Sequence, residues 1–490
     1  DLPKSRLAID VDNGFEPEYI LVRGKGAVVR NLKERASVSG RVLIASDPDR
    51  EGEAIAWHLS ETLGVDPGSP CRVRMYEITP KGVKEAFEQV STVDMKKVEA
   101  QQARRVLDRL VGYKLSPLLW DKIKRGLSAG RVQSAALKMI CDRQDLIDSF
   151  VPREYWQVTV AAAAEGGREY SLRVDRLDGK SLVKDGRTLL IKDESSAAVI
   201  EEEVRSNEVR VVSFTQKEGT RKSLPPFKTS TLQQEASRRL SFAPRRTMFT
   251  AQGLYEGVPI PGRGTTGLIT YMRTDSLRVS AEAAGQAREY IKTAFGKGYL
   301  PPSAQVHEGK GRSQDAHEAI RPTDVTLTPD LVREHLTPDQ YRLYDLVWRR
   351  FVASQMSPAR IARSTVEAES GRVGMRQSGA CVVFDGWGAL WPLDMKDEVI
   401  EPAREGELLE VKGITREQRF TKPPSRFTDA GLIKALEEEG IGRPSTYATI
   451  VQTLYDRKYV VRDEDKRLAP TPLGRIVDAF LEAHFPGIVD

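Results

Sequence analysis

The stretch VLIASDPDREGEAIAWHL, Val42 to Leu59, decides how this chain is read. Val42 to Ala45 reads as a short buried strand. The loop after it carries Asp47, Asp49 and Glu51, and a helix is predicted from about Gly52, with Ile55, Leu59 and Leu63 in its apolar stripe. Carboxylates at the carboxyl end of a parallel strand stand where open α/β sheets bind ligands. Clustered hard oxygens without His or Cys suit Mg²⁺ better than zinc. The loop also begins like a calcium-binding helix–loop–helix, but its twelfth position is His58 and a strand precedes it. Acids capping a helix start explain one or two of the carboxylates, not three on alternate residues. The expectation is a divalent-metal site at Asp47, Asp49 and Glu51.

Working outward, the pattern from about Tyr19 to Val93 is strand, loop, helix: YILV, RVLIA, the helix above, then CRVRMYEI. It predicts an α/β unit with a parallel sheet. From Asp94 to Ser149 the chain reads as helical, with Ala103, Val106, Leu107, Leu110 and Val111 at helical spacing and SPLLWDKI after a turn. From Tyr155 to about Phe214, segments such as YWQVTVAAAA and RTLLIK read as antiparallel strands. SLPPFKTSTLQQEASRRL marks entry into a second helical region, with Thr229, Ser230 or Thr231 as cap, running to about Met356. RIARSTVEAE, CVVFDGW and ELLEVKGI return to strands, and helices follow KPPSRFT to the end. Helical and β styles that alternate twice imply nested domains whose chain leaves and returns.

The 490 residues are 40% apolar and 30% charged, enough for several domains. No apolar run reaches the length of a membrane span, and no secretory signal is seen. Beginning at Asp1 and ending on FPGIVD, the chain reads as a fragment. Three cysteines, far apart and without a C-x-x-C, argue against a zinc ribbon or a disulfide framework and suit a cytoplasm. The net charge of +5 is unevenly spread. Residues 101–140 hold nine Lys/Arg against two acids, and residues 221–280 hold ten against three. Each block is +7, so the rest of the chain sums to 5 − 14 = −9. Concentrated positive charge on an otherwise acidic chain is a footprint for a polyanion, although solvated helix faces carry such charge too.

Four further stretches hold candidate functional residues. In GLITYMRTDS (267–276), Leu268 to Thr270 reads as a strand, and Tyr271 and Arg273 can share a face. A guanidinium beside a phenol lowers its pKa from about 10 toward a usable nucleophile. The alternative is a half-buried tyrosine with a solvated arginine. GLSAGRVQSAALKMI (126–140) offers a helix start with Arg131 and Gln133 for phosphate and sugar. IGRPSTYATIVQTLYDRKYV (441–460) repeats the theme with Arg443, Ser445, Thr446 and Tyr447, and a capped helix with Pro444 in its first turn is the plainer account. QDAHEAIRP (314–322) brings together Asp315, His317 and Arg321.

Taken together, these motifs resemble one family, the type IA DNA topoisomerases, over nearly the whole chain and in the family's order. ASDPDREGEAIAWHL is similar to its Toprim metal motif, and RRVLDRLVGYKLSPLLW and LSAGRVQSAAL to its strand-holding helices. PFKTSTLQQEA, AQGLYEG, GLITYMRTDS and QDAHEAIRP resemble its active-site domain, and GIGRPSTYATI its later DNA-binding helices. Met272 favours the topoisomerase I branch over the topoisomerase III branch, which usually carries proline there.

The resemblance implies a multidomain α/β plus α plus β fold: a Toprim α/β domain, helical domains and an antiparallel β arch forming a toroidal core. The implied division is Toprim over 19–93; a helical DNA-binding domain from 1–18, 94–150 and 416–490; the arch from 151–228 and 358–415; and a helical domain with the reactive tyrosine over 229–357. Tyr271 would attack DNA and keep the 5′ phosphate, Arg273 would stabilise its charge, and His317 would position the scissile region or relay a proton. Asp47, Asp49 and Glu51 would hold Mg²⁺. Arg131, Gln133, Asp275, Arg321, Arg443, Ser445 and Thr446 would contact DNA. The implied activity is ATP-independent relaxation of negatively supercoiled DNA by a monomeric, cytoplasmic, nucleoid-associated enzyme with single-stranded and negatively supercoiled DNA as partners and no ATP or membrane. The family's first Toprim strand, with its glutamate and lysine, has no match between Asp1 and Ser46. The alternative reading is therefore a chain that binds single-stranded DNA with little or no turnover. Toprim nucleases and primases lack the tyrosine element.

Overall fold

The computed structural model describes residues 1–183, 186, 190–307 and 317–489. Half of the RTLLIK segment, residues 187–189, and the Asp315 position lie outside the described residues. No helix among those described is long and apolar enough to cross a membrane.

The first region is looser than its sequence predicts. A two-stranded hairpin, β1 (Ile9–Asp10) and β2 (Glu16–Pro17), leads to α1 (Gly26–Ser37), which buries no residue. Tyr19–Val22 forms no strand, and Ile20, Leu21 and Val22 stand exposed. The expected parallel sheet shrinks to a single parallel bridge, Ile44 with Arg72, and an antiparallel one, Arg72 with Ser91. A strand needs partners along its length, and here only a few main-chain bonds around Ile44 and Arg72 are made. α2 (Arg50–Leu63) starts two residues before Gly52, capped by Asp49, whose side chain accepts the Gly52 N–H at 2.7 Å. Its buried face is Gly52, Glu53, Ala54, Ala56 and Ser60, while Ile55 is exposed. Small residues let this helix lie close to the chain beneath it. A Cβ on Gly52 would stand 2.0 Å from the Asp47 carbonyl oxygen, so the acidic loop can fold back on the helix start only over glycine. α3 (Pro80–Glu88) follows, capped by Thr79.

α4 (Met95–Lys122) packs against α2 and runs unbroken for 28 residues, so the turn expected before SPLLWDKI is absent. Pro117 sits inside it, at the cost of one N–H to the ladder. Leu107, expected in the apolar stripe, is exposed. α5 (Arg131–Asp148) begins at Gly130.

A β domain comes next. β3 (Glu154–Ala163), β4 (Glu169–Leu177), β5 (Lys180–Ser181), α6 (Glu194–Ser206) and β6 (Val209–Arg221) form its first half. The chain then leaves for a helical insertion. α7 (Thr229–Glu235) is capped by Lys228, whose N–H is taken by Thr231 Oγ1, so none of the three expected hydroxyl residues is itself the cap. α8 (Pro244–Glu256), the hairpin β7 (Val258–Ile260) and β8 (Gly264–Thr266), α9 (Ala281–Ala294), the single turn α10 (Pro329–Val332) and α11 (Pro338–Ser354) complete the insertion. The chain returns as β9 (Ala359–Ser370), β10 (Val373–Phe384) and β11 (Leu408–Phe420).

All pairings in this sheet are antiparallel, in the order β10-β9-β6-β11-β3-β4-β5, and β10 also pairs with β4. Six strands therefore close on themselves around a core that includes Val158, Val160, Leu172, Val174, Val366 and Met375. Closure removes the sheet edges that would otherwise invite association. After the β domain, α12 (Asp429–Glu438), α13 (Tyr447–Asp456), a hairpin β12 (Val460–Arg462) and β13 (Leu468–Pro470), α14 (Pro472–His484) and α15 (Pro486–Val489) pack on α4 and α5 around Leu119, Leu137, Ile433 and Leu454. The hairpin interrupts what was expected to be helical to the end. The insertion has its own core around Leu254, Leu268, Tyr344 and Phe351.

Candidate active site

Tyr271 lies where three parts of the chain meet. Leu268 to Thr270 is not a strand, and only Ile269 bridges, to Pro322. The segment is instead pinned from both sides. Tyr271 N–H donates to the Tyr76 carbonyl at 2.9 Å and Gly267 N–H to that of Ile78 at 2.7 Å. Gly267 is needed here, since a Cβ would stand 2.5 Å from the Tyr255 carbonyl oxygen. Beyond the tyrosine, fully buried Thr229 clamps the turn. Its hydroxyl donates to the Met272 carbonyl at 2.7 Å and accepts the Thr274 N–H at 2.8 Å.

The phenol is buried, and Tyr271 Oη donates to Asp49 Oδ2 at 2.6 Å, with Asp47 Oδ2 at 3.4 Å. Arg273 Nη1 stands 3.5 Å from the same Asp49 oxygen. Tyrosine and arginine thus both reach one carboxylate oxygen, although no strand sets their shared face. The expected lowering of the phenol pKa is overturned: burial first, then the charges of Asp49 and Asp47, push it above its ordinary value and outweigh Arg273. Tyr271 therefore stands as a protonated donor to Asp49. Burial and the neighbouring Asp49 charge also raise Asp47.

His317 completes the group. Its ring packs edge-on against Tyr271 and Tyr76, with centroids 6.0 and 5.7 Å away. Burial, then the charge of Lys97, hold it below its usual range despite a bond to the Pro48 carbonyl, so it is neutral. Its Nε2 is buried without a hydrogen-bond partner among the described residues.

The three loop carboxylates do not converge. Asp47 and Asp49 face Tyr271, while Glu51 Oε1 accepts the Ser445 hydroxyl at 3.0 Å. Asp49 is also the helix cap, so capping accounts for one of the three acids. Among the described residues no group of three His, Cys, Asp or Glu stands close enough to hold a metal ion. The Asp47–Asp49 pair still fits Mg²⁺, which commonly binds through one or two carboxylates plus waters and substrate phosphate. A cation there would relieve the repulsion from Asp49 that adds to burial in raising Asp47.

Residues 92–490 match the family model described as DNA topoisomerase, and residues 8–78 match the Toprim domain. A solved structure of full-length topoisomerase I from Thermotoga maritima is similar over 100% of this chain and 78% of that one, at 40% identity and a TM-score of 0.87. The chain belongs to the bacterial type IA DNA topoisomerases. Its fold is that of a topoisomerase I: a Toprim domain, a large antiparallel sheet and helices.

The other candidates of this topoisomerase lie around the junction or on its helical floor. Arg321 is buried beside Tyr271's segment, 2.7 Å from Glu318 and 3.5 Å from Glu77. Asp275 is exposed. Arg131 binds Asp108 at 2.8 Å, and Gln133 donates to the Ser128 carbonyl at 3.1 Å. Arg443 is exposed and turned to the Gly442 carbonyl at 2.7 Å. Thr446 Oγ1 accepts the Arg443 N–H at 2.9 Å. The helix after it starts only at Tyr447, so Pro444 is not in its first turn as expected.

Three positioning residues escaped the sequence reading. Arg72 is fully buried and donates to the carbonyls of Ser46 at 2.8 Å and Asp47 at 2.6 Å, holding the acidic loop while pairing with Glu53 at 3.1 Å. An arginine in CRVRMYEI reads as a solvated strand residue, so no local signal marks it. Thr229 is the second. Glu437 is the third: it binds Lys228 at 2.8 Å and the Ser230 hydroxyl at 2.7 Å, joining α12 to α7.

Proposed function

We propose that this type I DNA topoisomerase relaxes negatively supercoiled DNA without ATP, by cleaving one strand through a 5′-phosphotyrosine intermediate, passing a strand and rejoining. The observation that carries the reading is the meeting of the Tyr271 phenol, Asp49 and Arg273 on one carboxylate oxygen, with neutral His317 against the ring. Tyr271 Oη attacks the phosphorus, the phosphorus–O3′ bond breaks, and the proton count closes because the phenol loses the proton that the 3′ oxygen gains. One phosphoester replaces another, so no nucleotide energy is consumed. Asp49 is placed to receive the phenol proton, and Arg273 to stabilise charge on the phosphate. His317 orients the phosphate or hands a proton to the 3′ oxygen. When bound at Asp47 and Asp49, Mg²⁺ supplies charge neutralisation beside the phosphate; Glu51 is a contributor only after leaving Ser445.

Single-stranded DNA is held by Arg131, Gln133, Asp275, Arg321, Arg443, Ser445 and Thr446. The domain division is that set out above, with 19–93, the helical parts, the β arch and 229–357 forming a ring around a monomer's central hole. Strand passage then requires the contacts joining 229–357 to its neighbours to open. The test is Tyr271→Phe: it should retain single-strand binding and lose all covalent adduct trapped by denaturant. A surviving adduct would falsify the assignment.

A further inference from the structure

A cleft of about 600 Å³ lies between α8 and α13, beside Asp47 and Arg273. Its floor is Asp47, Met272 and Arg273, and its far wall is Ser445, just before α13, with Thr449 and Gln452 of α13. On α8 the buried face is Thr247, Thr250, Ala251, Leu254 and Tyr255. The open face carries Arg245, Phe249, Gln252 and Glu256, spaced as one helix side. Phe249 is 82% exposed, whereas Phe227, Phe242 and Phe351 of the same insertion are buried. An aromatic ring left in water within a functional cleft forgoes the burial that stabilises its neighbours.

We infer that Phe249 is a stacking platform for one unpaired base of the DNA strand in this cleft, a contact that specifies neither base nor phosphate. This rests on the reading of the cleft as the path of the cleaved strand. Three features favour a base over other occupants. The cleft is continuous with Arg273 and Ser445, so a strand lying there is already in the site. Arg245 stands one turn from Phe249 and can meet the adjoining phosphate. The remaining charges are Asp47, Glu256 and Asp456, which repel phosphate along the walls. The Gln252 and Gln452 amides donate to Glu256 at 2.7 Å and Asp456 at 2.8 Å. What remains is a flat apolar surface, and every base has a face that stacks on one.

The test uses the full chain and single-stranded oligonucleotides with 2-aminopurine moved along the sequence. One position, or two adjacent ones, should be quenched on binding wild type and Phe249→Trp, and not on binding Phe249→Ala. Phe249→Ala should bind about tenfold more weakly. Leu331→Ala, also exposed but outside the cleft, should bind like wild type. Equal affinity and quenching in Phe249→Ala overturn the platform. A parallel assay for covalent adduct on wild type separates the two readings. Adduct with no effect of Phe249→Ala removes the platform alone. Position-specific quenching that depends on Phe249, without adduct, keeps the platform and removes the cleavage mechanism.

Discussion

The β barrel and the tyrosine junction are stabilised by different means. The barrel closes through main-chain ladders over a core of fully buried aliphatic side chains. The junction has no such ladder: beside the two main-chain bonds from Tyr271 to Tyr76 and from Gly267 to Ile78, it is joined by single side-chain contacts between distant parts of the chain, Tyr271 with Asp49, Ser445 with Glu51, Lys228 and Ser230 with Glu437. A ladder loses many bonds at once or none, whereas isolated pairs separate one at a time. The first keeps its shape as one unit, whereas the second can part pair by pair.

The contrast breaks most sharply where a junction element behaves like a core. Glu53 pairs with Arg72 and Arg74 with no exposed side-chain surface of its own. Glu53→Ala should cost about 4 kcal/mol, because Arg72 is left charged and unpaired inside the protein. Hydrogen exchange should show the loss confined to residues 40–98; unchanged protection there would mean that the acidic loop is held by something else. Leu172→Ala in the barrel should cost about 3 kcal/mol and unfold the strands together. Urea denaturation followed by exchange on separate strands checks this, and independent loss of one strand would refute a single closed unit.

A pH effect sharpens the picture for the helical floor. Burial pushes the Asp478 carboxyl up to about 6, against about 3.9 when unfolded. The folded state binds the proton more tightly, so this group's contribution is full below about pH 4 and is lost as pH rises through 6. Asp478→Asn should abolish that part of the pH dependence in thermal unfolding. The smallest effect belongs to the seam. Glu437→Gln removes a largely buried ion pair and keeps the Ser230 bond, which should weaken the contact between α7 and α12 by about 0.5–1 kcal/mol, or two- to fivefold. Energy transfer between labels on α7 and α12 should report that shift with the global melting temperature unchanged.

Much of this was legible in the chain itself. Alternation placed the long strands, helical spacing placed the long helices, and three carboxylates after an apolar run, with a tyrosine two residues from an arginine, marked the candidate site. These are local patterns, set by the period of the backbone and the side chains it presents. The tertiary structure decided the rest because it depends on what lies opposite. It turned Glu51 away to Ser445, buried Arg72 beneath the acidic loop, and reduced the predicted parallel sheet to one bridge for want of partners. It also reversed the expected behaviour of Tyr271: sequence places an arginine two residues away, but only folding buries the phenol and brings two aspartates to it.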